Sequence, residues 1–84
     1  RMTGWGEQVI RWRTPHTARK WKGCAELIIS TIEHKNGEYI DIRVRRTAEH
    51  PKGEGWTGTG FRIPIDQALS LSKALEHILS ERTE

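Results

Sequence analysis

Between Glu38 and Arg46 the chain reads Glu-Tyr-Ile-Asp-Ile-Arg-Val-Arg-Arg, and an alternation this regular admits few local structures. A β-strand sends successive side chains to opposite faces, so Ile40, Ile42 and Val44 share one side while Tyr39, Asp41, Arg43 and Arg45 share the other. The apolar side needs cover. The polar side shows solvent an aromatic ring and two guanidiniums, which suits a polyanion with flat bases provided neighbouring segments repeat the pattern. For one strand alone, the solvated outer face of an antiparallel sheet looks the same.

Three further segments alternate. Glu7 to Thr14 sets Ile10 and Trp12 on one side and Val9, Arg11 and Arg13 on the other, with Pro15 ending the strand. Ala25 to His34 is rich in β-branched residues and apolar on both faces, as a central strand or one at a dimer contact would be. Phe61 to Ile65 turns Phe61, Ile63 and Ile65 inward and Arg62 and Pro64 outward, proline suiting an edge or a strand end. The Asn36-Gly37 pair predicts a type I′ hairpin leading into the strand at Glu38. Residues 1–6 are Gly-rich and expected to fray, Pro15 to Gly23 is a basic connection with Trp21 in its middle, and Thr47 to Thr59 is expected as a flexible loop. From Asp66 the period becomes helical: Ala68, Leu71, Leu75, Ile78 and Leu79 form a stripe, with Asp66 as N-cap and an end near Ser80. Leu69 lies off that stripe, leaving apolar surface for a partner helix. The predicted fold is α+β, one domain over residues 1–84, in which a four-stranded antiparallel curved sheet is followed by one C-terminal helix covering its apolar side.

A chain of 84 residues buries only about 60% of its unfolded surface, so oligomerisation is expected. The lone cysteine, Cys24, excludes a disulfide framework and a Cys-rich zinc site, and no apolar run reaches the length of a membrane span. A soluble, reducing, cytoplasmic setting fits. Arg1 ahead of Met2 reads as a remnant with Met2 as the natural start, and a truncated domain would read the same way. Net charge is +3, unevenly spread: residues 1–23 hold six Lys or Arg against one Glu, a net +5, while residues 63–84 hold two against four acids, a net −2. That split points to a basic binding surface, and Trp5, Trp12, Trp21 and Trp56 all precede the acidic helix.

If the strand registers follow the alternation, Arg11, Arg13, Arg43, Arg45 and Arg62 project from the face opposite the helix, where they can neutralise phosphates. Tyr39, Trp21 and Trp56 can stack on bases, with Lys20 and Lys22 flanking Trp21. A duplex hides its bases, so single strands are the better target, with DNA not separated from RNA. Ordinary packing at loop edges accounts equally for Trp21 and Trp56, and Arg45 and Arg46 could simply pair with Glu38 or Glu49. Trp12, alternating with Ile10, reads as core. Asp41 is expected to neutralise an arginine across the sheet. The four histidines lack metal-ligand spacing, Cys24 reads as a small buried residue, and Gly58-Thr59-Gly60 lacks the Lys-Ser/Thr ending of a phosphate loop. Asp41 and Glu38 face opposite sides, which argues against a metal-dependent nuclease. No enzymatic activity and no cofactor are expected. Joint replacement of Arg43 and Arg45 by alanine is expected to weaken single-strand binding without unfolding the domain.

The order β-β-β-β-α, with Tyr39-Ile40-Asp41-Ile42-Arg43 and Gly60-Phe61-Arg62-Ile63-Pro64-Ile65-Asp66-Gln67 ahead of the final helix, resembles the positive cofactor four family of transcriptional coactivators. Lys20-Trp21-Lys22-Gly23 sits where bacterial-type members carry a similar basic hairpin. The resemblance implies a homodimer joined partly through its C-terminal helices, with curved sheets forming channels for single-stranded DNA. It also implies a role in transcription regulation or DNA maintenance, with the transcription machinery as a further partner. Position by position, it implies binding roles for His34 and Lys35 at the turn and Arg43 on the strand. Arg46 stands where many relatives have an aromatic, as a phosphate contact or a planar stack. The family's basic pair before the fourth strand is replaced by Thr57-Gly58-Thr59, with Trp56 close by and Arg62 as compensation. The alternative is a protein-binding adaptor using the C-terminal helix or an edge strand, with nucleic acid incidental.

Overall fold

The computed structural model describes residues 4–82; the reading of Arg1 and Met2 lies outside them. Four strands, β1 (Trp5–Pro15), β2 (Ala25–His34), β3 (Gly37–Arg46) and β4 (Gly55–Pro64), precede one helix, α1 (Ile65–Arg82). The strands form a single curved antiparallel sheet in chain order. β2 lies inside it, as its two-sided apolar character predicts, and Ala25, Ile28, Ser30 and Ile32 are buried. Cross-strand pairs Leu27 with Val44, Ile29 with Ile42 and Thr31 with Ile40 fall on the face that α1 approaches, joined from β4 by Phe61 and Ile63. On the opposite, open face Ile28 pairs with Arg43, Ser30 with Asp41 and Ile32 with Tyr39. The alternation in β3 is therefore realised without a shift against β2.

Elsewhere the chain departs from simple alternation. β1 begins at Trp5, inside the stretch expected to fray, because Trp5 pairs with His34 and the Lys35 N–H donates to the Gly4 carbonyl at 3.3 Å. It also runs on through Pro15. Between Ile10 and Trp12 the pairing jumps from Ser30 to Ile29, leaving Arg11 as an extra residue. A bulge of this kind reverses the side-chain order beyond it. Ile10 consequently lies on the open face, while Arg11 and Trp12 turn to the helix face. Trp12, expected in the core, is 49% exposed.

At the β2–β3 hairpin His34 still pairs with Gly37, so the connecting residues are Lys35 and Asn36. No non-glycine residue described has positive φ, which rules out the expected type I′ turn; Gly37, at φ 131°, carries the positive angle just after it. The loop expected to Thr59 ends at Glu54. Arg43 pairs with Gly60 and Arg45 with Trp56, so Thr57, Gly58 and Thr59 bulge opposite Val44, pinned by the Thr57 hydroxyl donating to the Val44 carbonyl at 2.6 Å. Gly60 has φ 149°, and a Cβ there would overlap the Ile42 carbonyl oxygen.

The helix follows β4 without a connecting residue, so Asp66 lies in its first turn and is not the N-cap. Its carboxylate accepts from the Gln67 N–H at 3.1 Å, at the end where the helix dipole favours a negative charge. The backbone of α1 approaches β3 and β4 only, and none of its 18 residues is buried. The expectation that it covers the apolar side holds for half of that side. Between Ile29, Ile40 and Ile42 on the sheet and Ala68, Leu71, Leu75 and Leu79 on the helix runs an apolar groove of about 400 Å³. Leu69 and Leu79 are 59% and 61% exposed. Among the described residues no helix is long and apolar enough to cross a membrane.

Candidate nucleic-acid interface

Register arranges the open face in rows across the sheet. Gln8, Ile32, Tyr39 and Pro64 form one row; the next holds Ile10, Ser30, Asp41 and Arg62. Arg13, Ile28, Arg43 and Gly60 follow, and Pro15, Glu26, Arg45 and Trp56 make the last. Arg13, Arg43, Arg45 and Arg62, from three strands, thus share one face. Arg11, expected on it, does not share it, and neither does Arg46, for which the resemblance implied a binding role. Arg11, displaced by the β1 bulge, donates from Nε to the Thr31 hydroxyl at 2.8 Å beside a pocket lined by Glu7, Glu33 and Glu38. Arg46 pairs across with Ala25 on the helix-face series, and its Nε donates to the Gly53 carbonyl at 2.8 Å, so it fastens the β3–β4 loop.

Asp41 is the centre of the face and is fully buried. The Arg43 Nη2 donates to its carboxylate at 2.8 Å and the Arg62 Nε at 3.2 Å, one along the strand and one across it, as the need to neutralise a buried carboxylate predicts. The hydrogen bond to Asp41 raises the Arg43 pKa above its ordinary value, so the cation is fixed. Arg43 is also held by the Thr57 carbonyl at 3.4 Å. Guanidiniums anchored in this way point their remaining donors in set directions.

At the hairpin end, Trp5, His34 and Tyr39 form an aromatic cluster. Ring centroids are 4.5 Å apart for Trp5 and His34 and 5.0 Å for Trp5 and Tyr39, and Arg62 lies 4.7 Å over the Trp5 ring. Trp5 was not among the residues predicted to bind. Its alternation with Glu7 and the neighbouring glycines hid a strand start. His34 accepts the Asn36 N–H at Nδ1, at 3.2 Å, and so braces the turn. Lys35, on that turn, is exposed.

The loop end is built differently. Arg13 Nη2 donates to Glu26 at 2.7 Å, which raises the Arg13 pKa, and Arg45 Nη1 donates to Glu54 at 3.0 Å. Arg45 also sits 5.5 Å over the exposed Trp56 ring. Trp21 is half-buried between His16 and His50, at 6.2 and 6.1 Å, and Lys20 covers it at 5.0 Å. Its ring bridges the two loops of that end. Lys20 and Lys22 are exposed, with no carboxylate partner among the described residues.

The described residues contain no group of three His, Cys, Asp or Glu placed to hold a metal ion, and register sets Asp41 and Glu38 on opposite faces. Cys24 is half-buried, its thiol donating to the Trp21 carbonyl at 3.6 Å. Comparison of the chain with protein-family models, with curated proteins and with solved structures yields no match.

Proposed function

We propose that the chain binds single-stranded DNA, with little sequence preference and no catalysis, through the open face of a homodimer. The observation that carries this reading is the gathering of four arginines from three strands, with Trp5, Tyr39 and Trp56, on the face α1 does not occupy. Guanidiniums supply phosphate contacts and the rings supply stacking at about 1–3 kcal/mol per base. A duplex would leave the rings unused. The carboxylate partners of Arg13 and Arg45 form pairs worth about 0–1 kcal/mol each, weak enough for a phosphate to replace.

The dimer is supported by α1, whose Leu69, Leu75, Ile78 and Leu79 stay exposed in a single chain. The β-β-β-β-α order and the Ile-Asp-Ile-Arg strand support kinship with the positive cofactor four proteins. With that kinship come transcription regulation or DNA maintenance, a cytoplasmic, nucleoid-associated setting and contact with the transcription machinery. The same exposed helix favours a second reading, an adaptor that recruits another protein through α1. Fluorescence polarisation with a labelled single strand, its duplex and its RNA equivalent separates the two. The first reading expects the single strand to bind most tightly, with log K falling by about 0.7 per neutralised phosphate per decade of salt. No binding to any oligonucleotide, together with a single-chain mass in solution, leaves the adaptor.

A further inference from the structure

The open face is rich in arginine yet close to neutral, because Arg13, Arg43, Arg45 and Arg62 meet Glu26, Asp41 and Glu54 in four ion pairs. Those carboxylates are of two kinds. Asp41 is enclosed between two guanidiniums and cannot leave without stranding them. Glu26 and Glu54 are within reach of water, the Glu54 side chain being 58% exposed. Glu26 stands directly across from Arg45 in the β2–β3 ladder while accepting from Arg13, so one carboxylate lies among guanidiniums of two other strands. Glu54 accepts from Arg45, which in turn lies over Trp56. The loop end thus presents single negative charges in an arginine frame beside an exposed indole. A phosphodiester next to a stacked base carries the same charge and accepts from the same donors.

Resting on the single-strand reading above, we propose that Glu26 and Glu54 are built-in phosphate mimics that mask Arg13 and Arg45 and are displaced by backbone phosphates when a single strand binds. Binding at this end is then an exchange of anions. The freed carboxylates move into water, the guanidiniums keep an anionic partner throughout, and the indole beside them takes a base. Isolated anions gain nothing from such an exchange, whereas a polyanion that also stacks does, so the mask selects for nucleic acid. It also softens the salt dependence: the freed carboxylate stays near the strand and offsets the charge its arginine contributes, so these contacts add little to the net counterion release.

The test is the E26Q/E54Q double variant of the full chain, titrated by fluorescence polarisation with a labelled oligothymidylate at about 50 and about 200 mM salt. The expected result is binding about three- to tenfold tighter at the lower salt. The slope of log K against log salt should be steeper by up to about 1.4, two phosphates at 0.7 each. The charge-matched E76Q/E81Q variant, altered on α1 away from the open face, should leave that slope nearly as in the parent, and an equal change in both variants assigns the effect to net charge and overturns the mask. Parent and variant binding alike, with equal slopes, overturns the mask and leaves the single-strand reading standing. No binding by either overturns both. A silent parent and a binding variant overturns the exchange, since the parent's carboxylates are then never displaced. Melting curves establish that the double variant folds, and if it does not, the single E54Q variant, altered only on an exposed loop, carries the same comparison with half the slope change.

Discussion

Asp41 lies in the middle of a solvated face with none of its own surface exposed, and the guanidiniums of Arg43 and Arg62 close over it at 2.8 and 3.2 Å. Removing the charge while keeping the shape, as in Asp41→Asn, leaves two cations facing an amide, and breaking a buried pair typically costs about 3 kcal/mol or more. For a domain of this size that is a fall in melting temperature of roughly 15 °C, read by thermal denaturation; a shift of a degree or two would show that water, and not Asp41, balances the two arginines. The same geometry changes which arginines can test binding cleanly. Arg43→Ala leaves Asp41 with one partner and should cost about 1–3 kcal/mol of stability, so the pair Arg43 and Arg45 mixes folding with binding. Arg13→Gln with Arg45→Gln removes two surface ion pairs and the stack of Arg45 on Trp56, and leaves the buried carboxylate untouched. That variant should melt within roughly 10 °C of the parent and bind a single strand more weakly; undiminished polarisation would remove these arginines from the interface.

Alternation alone placed every residue of β3 correctly, because β3 pairs with β2 without a shift from Gly37 to Arg46. It failed in β1 for a physical reason: the strand pairs with two register shifts, and at the second the extra residue Arg11 puts Ile10 and Trp12 on opposite faces, so Val9, Ile10 and Arg11 are inverted while Trp12 and Arg13 keep their expected sides, and composition carries no mark of either shift. The β4 bulge left a trace in the sequence, since Gly58 and Gly60 sit where strand propensity would put larger residues. They read as loop glycines; the structure makes Gly60 the closing residue of the bulge, where an added Cβ would run into the Ile42 carbonyl and the Arg43 backbone. Gly60→Ala must either push β3 and β4 apart or open the bulge. With backbone strain of about 1–3 kcal/mol added to that overlap, a loss of at least about 2 kcal/mol is expected by denaturant titration. The aligned positions of Arg43 and Arg62 over Asp41 should loosen with it. An unchanged midpoint would mean that the bulge is not closed in solution.

Taken whole, the chain is too open for its length. A compact domain of this size has a radius of gyration near 12 Å, against 14.8 Å here, with extents of 41 × 36 × 17 Å. Its accessible surface is 6369 Å², about 1,200 Å² more than the roughly 5,100 Å² expected of a folded monomer of this mass. A standard interface buries about 800 Å² per partner, so the excess is of the size a second copy would remove. The helical period of α1 showed which residues form its stripe, but a period cannot say whether the cover comes from the same chain; no α1 residue is buried and its backbone does not reach β1 or β2, which is the ground for proposing cover from a second copy. In the proposed dimer each α1 supplies what the other copy lacks, an isologous contact that closes on itself. Light scattering should therefore give about twice the 9.7 kDa chain mass. Leu75→Asp with Leu79→Asp should give a single-chain mass, a lower melting temperature and weaker single-strand binding, since two linked faces gain from effective concentration. A single-chain mass for the unaltered protein, with its melting temperature independent of concentration, would assign the apolar helix to a different partner and leave each open face to bind alone.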